Sequence, residues 1–198
     1  MKQRVIAPES AEICRRLAGK EYINVIGIIE ITAENGVFTV TEEEFEGVTL
    51  SERLKNGVSA GELEDFIQQL CDALDFLAKQ GIFHSAINAE NILIGEDNAL
   101  KLTRLDMTYL GDIEDNMENS LKRIGKLLKS TDYARKYAGV IRDCGSGFYE
   151  SFSELSRDMS SRSFLGKHAA IIGILVISAF LVYRVFGRAI APLFRSLY

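Results

Sequence analysis

The sequence predicts an α+β domain followed by one membrane-spanning helix, and three observations carry that prediction. A capping box, Ser59 with Glu62, opens a helix that runs to Gly81. Within it Leu63, Phe66, Ile67, Leu70, Leu74 and Leu77 recur at helical spacing. Two turn signals, Glu34-Asn35-Gly36 and Gly95-Glu96-Asp97-Asn98, each sit between short apolar runs and mark hairpins. Finally, the sixteen residues from His168 to Tyr183 carry no formal charge at neutral pH.

In chain order, Ile26 to Thr32 and Val37 to Thr41 alternate loosely and are expected to be strands flanking the first turn. Leu50 to Leu54 is expected to be a short helix. The long helix stops at Lys79-Gln80-Gly81, because glycine favours the conformation that ends a helix. Ile92 to Ile94 and Leu100 to Leu102 pair around the second turn. A helix near Glu118 to Lys129 places Leu121, Ile124, Leu127 and Leu128 on one face. The expected organisation is a domain over 1–160, a linker over 161–167, a membrane helix over 168–187 and a short basic tail over 188–198.

The stretch from Gly81 to Asp106, GIFHSAINAENILIGEDNALKLTRLD, resembles the catalytic loop of protein kinases. That family reads His-Arg-Asp, then Lys-Pro-Glu-Asn, then a strand pair ending in Asp-Phe-Gly. Here the runs are His84-Ser85-Ala86, Asn88-Ala89-Glu90-Asn91 and Arg104-Leu105-Asp106. The order of helix, loop and hairpin is the most specific part of the resemblance. It extends over roughly Glu9 to Met159. Glu12 to Leu17 resembles the end of the regulatory helix, and Tyr22 to Ile26 the segment leading into a strand. Glu42 to Gly47 sits where the hinge joins the two lobes. Tyr133 to Cys144 and Phe152 to Met159 resemble the final helices. The resemblance implies a truncated kinase-like domain, with a small strand-containing amino-terminal remnant and a mainly helical carboxy-terminal lobe.

It also implies a degenerate loop. Phosphoryl transfer in this family uses a carboxylate to position the attacking hydroxyl, carboxylate ligands for a metal ion, and a lysine on the nucleotide phosphates. Ala86 stands at the position of the first carboxylate and Arg104 at the metal-binding one. A guanidinium there repels a divalent cation. Asn91 alone matches a metal ligand, and alone it is a weak site for a cofactor. No glycine precedes Gly19. The early lysine, Lys2, is expected at a frayed terminus, and Glu12 is the nearest candidate for the helical glutamate. His84 is expected to pack in an internal spine with Leu105. The closing Ala-Pro-Glu motif is absent, and Ser120 replaces the aspartate of the family's central helix. No cofactor is expected on this reading, neither ATP nor magnesium, and no metal.

The uncharged run is shorter than the ~20 residues a bilayer core requires. Phe164, Leu165, Val185, Phe186 and Gly187 extend it if Lys167 and Arg184 snorkel outward. The lipid bilayer is therefore an expected partner through 168–187. With no leader pattern in the first thirty residues, the domain is expected in the cytoplasm, on a single-pass, tail-anchored protein. Five of the 23 basic residues and none of the 28 acidic ones follow Ser160, which leaves the domain with 18 against 28, a net charge of −10. That balance argues against nucleic acid as a partner. Glu42, Glu43, Glu44 and Glu46 form an acidic knot that suits either a basic partner or plain solvent. Cys14, Cys71 and Cys144 lack metal-ligand spacing and suit a reduced setting.

Three functions follow as expectations. The first is a non-catalytic, membrane-anchored kinase-like scaffold or signalling adaptor acting through other proteins; such a chain is not an enzyme. The second is a divergent kinase-like enzyme that still binds ATP and transfers a phosphoryl group, with Asp97, Asp106 and Asp112 replacing the missing ligands. The third is a small structural subunit of a membrane complex such as a secretion system.

Overall fold

A computed structural model describes residues 1–161. The expected membrane helix at 168–187 and tail at 188–198 lie outside the described residues. Among the described residues, no helix is long and apolar enough to cross a membrane.

The chain opens with strand β1 (Lys2–Ile6) and helix α1 (Pro8–Leu17), then strands β2 (Ile28–Glu34) and β3 (Val37–Glu42). These strands form an antiparallel sheet in the order β1-β3-β2. The β2–β3 turn follows from its residues: Asn35 and Gly36 both take positive φ, 50° and 79°, which asparagine and glycine tolerate best. Pairing of Lys2 with Glu42 corrects the frayed terminus expected for Lys2. The strand escaped notice because Ile6 is its only buried residue, so it shows no apolar alternation. Helix α1 begins at Pro8, a residue suited to a first turn, and buries Ala11, Ile13, Cys14 and Leu17.

Strand β4 (Val48–Thr49) leads into helix α2 (Leu50–Lys55), where Thr49 and Glu52 form a second capping box. Helix α3 (Ala60–Ala78) follows its predicted cap. Ser59 N donates to Glu62 at 2.8 Å, and Glu62 N donates back to the Ser59 hydroxyl at 3.1 Å. All six predicted apolar positions are buried at 3% exposure or less, so the helical period marks the core face correctly. After Gly81, at φ 69°, come strands β5 (Ile82–His84), β6 (Ile92–Ile94), β7 (Leu100–Leu102) and β8 (Thr108–Leu110). β4, β6 and β7 form one small sheet, and β5 pairs with β8.

Helix α4 (Ile113–Lys129) starts before the expected Glu118 and buries Leu121, Ile124, Leu127 and Leu128. The helix expected from Tyr133 is corrected. Residues 131–137 are turns, and helix α5 spans Ala138–Gly145. Tertiary bonds favour the turns: Tyr133 donates its hydroxyl to Val58 O at 2.7 Å, and Tyr137 bonds Glu64 on α3. A last helix, α6 (152–161), holds Phe152, Leu155 and Met159 in the core. The amino-terminal segment is stitched to the hairpin by Ile26 N to Leu102 O (2.9 Å) and Leu102 N to Asn24 O (2.8 Å). Gln69 on α3 locks the same hairpin, accepting from Leu100 N and Asn24 Nδ2 while donating to Asn98 O.

Candidate functional site

Between β1, the segment after β3 and the loop that follows β5 lies a cleft of about 810 Å³. Ile26, Phe45 and Leu93 supply apolar wall, and Lys2, Arg4 and Arg104 supply cations. Lys2 and Arg4 are two residues apart on a strand, so they share a face. Arg4 escaped the sequence reading, which looked for a lysine; a basic residue two positions after Lys2 was the available signal.

The loop is built by hydrogen bonds that do not depend on the replaced residues. His84, 1% exposed, accepts from Ala86 N at Nδ1 (3.1 Å), so Nε2 carries the proton and donates to Thr103 O at 2.8 Å. Burial pushes its pKa below the ordinary value, with the bond to Thr103 opposing, so the ring is neutral. His84 thus ties the loop to Thr103; Leu105 is buried as well, at 1% exposure. Asn88 caps the turn at Ala89–Asn91, accepting from Glu90 N and Asn91 N at 3.0 and 3.1 Å. Asn91 Nδ2 donates to Ala86 O at 2.9 Å, and its backbone carbonyl accepts from Thr103 N and the Thr103 hydroxyl. Asn91 lines the cleft, and Ala86 supports it through its carbonyl, a contact that needs no side chain.

At the inner side stands a charged cluster. Asp106 accepts from Arg104 Nε and Nη2, both at 2.9 Å, and from Arg4 Nη1 at 2.6 Å. Arg4 Nη2 reaches Glu42 at 3.3 Å. Burial alone would raise the Asp106 pKa, but hydrogen bonds from Arg104 and Arg4 hold the carboxyl below its usual range. Burial pushes Glu42 upward despite Arg4. Arg104 takes left-handed backbone, φ 59° and ψ 47°, uncommon for a side chain of its size.

Other expectations are redistributed. Glu12 lies on the solvent side of α1, beside Arg16 and Arg15, and does not reach the cleft cations. Asp97 accepts from Ala99 N within the hairpin turn, while Asp106 belongs to the cluster; Asp97 and Asp112 do not line the cleft. The acidic knot is largely engaged: Glu42 with Arg4, Glu43 with Lys101 at 2.6 Å and Gly27 N at 2.9 Å, and Glu44 with the N-terminal ammonium. Among the described residues, no group of three or more His, Cys, Asp or Glu gathers to hold a metal ion.

Residues 3–120 match the protein kinase domain family, and the chain belongs to that family. A probable serine/threonine-protein kinase of Clostridium acetobutylicum is 27% identical over 142 residues, 70% of this chain and 21% of that protein. An Aurora kinase of Saccharomyces cerevisiae is 34% identical over 77 residues, 39% of this chain and 21% of that one. The chain spans about a fifth of the length of these relatives. The kinase domain of Mycobacterium tuberculosis PknI shares the fold, with a TM-score of 0.63 at 14% identity over 81% of this chain and 84% of that one.

These findings correct the expectation that the chain is not an enzyme: the family and the serine/threonine kinases among its relatives point to a kinase enzyme. That expectation rested on Ala86, Arg104 and the missing glycine and lysine. The loop's geometry is set by bonds from the Asn91 and His84 side chains to backbone carbonyls, which the residues at 86 and 104 leave in place.

Proposed function

We propose that the chain is a divergent protein kinase domain that takes a nucleoside triphosphate in the 810 Å³ cleft and transfers its terminal phosphoryl group. One observation carries the reading. The Asn91 amide is fixed by its Nδ2 bond to Ala86 O, and its Oδ1 has no hydrogen-bond partner among the described residues. A buried acceptor left over in a cleft wall is costly unless a ligand meets it.

The residues fit the nucleotide. Ile26, Phe45 and Leu93 offer apolar surface to a base, while Lys2, Arg4 and Arg104 offer positive charge to phosphates. They do not fit the family's metal: the position of its carboxylate ligand holds the Arg104 guanidinium, so no step here is routed through a metal ion. Transfer of a phosphoryl group rests mainly on positioning and charge stabilisation. Glu90, beside Asn91 in the same wall, is the loop's carboxylate for orienting an acceptor hydroxyl.

The test is thermal unfolding and phosphoryl transfer from γ-labelled ATP by the 198-residue chain. At one hundred times the dissociation constant, bound nucleotide stabilises the fold by about 2.7 kcal/mol. Glu90→Gln is expected to lower transfer and leave that stabilisation intact. Absence of any shift with ATP, with or without magnesium, overturns the reading.

The same proposal places the domain at a membrane, on the support of the uncharged run within 168–187, where attachment raises its effective concentration toward other membrane proteins.

A further inference from the structure

We infer that Arg4 and Arg104 form a phosphate-binding clamp that takes the place of a divalent cation, so that the cleft binds its nucleotide without metal. This rests on the cleft reading above and adds how the phosphates are held.

The clamp is already closed on an anion. Asp106 receives three N–H bonds from two guanidinium groups, two of them in the side-on fork that arginine also offers to phosphate. Both arginines also line the cleft, whereas Asp106 does not. The geometry is imposed: Arg104 is held in left-handed backbone, a cost that persists where the surrounding structure fixes it. Ser10 contributes, its hydroxyl donating to Asp106 O at 2.7 Å, which ties this segment to α1.

The attraction for a polyanion is local to the two guanidinium groups. Lys2, Arg4 and Arg104 line the cleft together with Glu42, Glu43, Glu44 and Glu90. Three of those carboxylates are already paired, Glu42 with Arg4, Glu43 with Lys101 and Glu44 with the N-terminal ammonium. A triphosphate brings several negative charges where Asp106 brings one, so it competes for the same donors. A divalent cation finds the nearby Asp106 and Glu42 carboxylates already held by Arg4 and Arg104, so a cation there faces guanidinium groups in place of free carboxylates.

The experiment measures ATP affinity of the 198-residue chain by calorimetry, in EDTA and in excess magnesium, with adenosine as the uncharged control. ATP is expected to bind in EDTA at least as tightly as in magnesium. It should also bind about tenfold more tightly than adenosine, the worth of a single charge-assisted hydrogen bond. Arg104→Asp, a residue that tolerates the same backbone, is expected to abolish the advantage of ATP in EDTA and make binding depend on magnesium. Binding of ATP only with magnesium overturns the clamp and leaves the cleft reading standing. Equal affinity for ATP and adenosine in EDTA also overturns it. Failure of ATP to bind under both conditions overturns both readings.

Discussion

His84 and Asp106 sit at opposite ends of one loop, and their ionisation ties the fold to pH in two separate windows. His84 is buried and neutral, with its pKa held below 6.5. As pH falls through 6.5 the unfolded chain takes up a proton there and the native state does not, so stability drops. Urea unfolding between pH 7 and 5 is expected to show that slope, and His84→Gln to flatten it whatever its absolute stability. Asp106 behaves as the depressed acid. Its contribution is complete above the ordinary carboxylate value of 3.8 and is lost as pH falls through its lower folded value. Asp106→Asn is therefore expected to flatten the curve below about pH 4 without touching the histidine window. The cysteines need no such test: all three are free and buried, and burial lifts Cys14 to about 11 and Cys144 to about 12.

At the scale of elements, α3 and its cap hold the larger half together. Ser59→Ala removes an acceptor from the first turn, and the expected loss is about 1 kcal/mol in chemical denaturation. Helix α4 shows the opposite sensitivity at Gly125. Alanine there would raise helix propensity by roughly 1 kcal/mol. A Cβ at that point, however, would stand 2.9 Å from Cys144 Cβ, which presses α5 away. Overpacking of that kind costs about 1–3 kcal/mol, so Gly125→Ala is expected to destabilise despite its propensity. Both helices were readable because their apolar residues recur with the helical period. The short strands were not: β1 buries one residue, β4 has two residues, and β5 and β8 have three each. The turns over 133–137 were read as helix because nothing local reveals that Tyr133 bonds Val58 O just before α3 and Tyr137 bonds Glu64 on α3.

At the scale of the whole domain, contacts between distant parts of the sequence assemble the cleft. Arg4 meets Asp106 across 102 residues, with side chains 17% and 14% exposed. Arg4→Met is expected to lower stability by about 2 kcal/mol, since a charged hydrogen bond is lost while Arg104 still covers Asp106. The polar cluster joins β1, β3 and the turn after β7, so the same change should also weaken nucleotide binding in the cleft. Beyond the described residues, the proposed membrane attachment is checked by carbonate extraction of cell membranes. Retention in the pellet is expected, and release into the supernatant would remove that part of the proposal.

By itself the sequence determined the long capped helix, the two hairpins, the core face of α4 and the kinase-like loop, because each is written in residues close along the chain. It also placed Asn91 and Arg104 in one loop and showed that the carboxylates usual at two of its positions are absent. Only the tertiary structure decided that Arg4 joins Arg104 around Asp106, that Glu12 faces solvent, and that the acidic knot is largely engaged by partners. Those outcomes depend on pairing across dozens of residues, where spacing along the chain carries no information about distance in space.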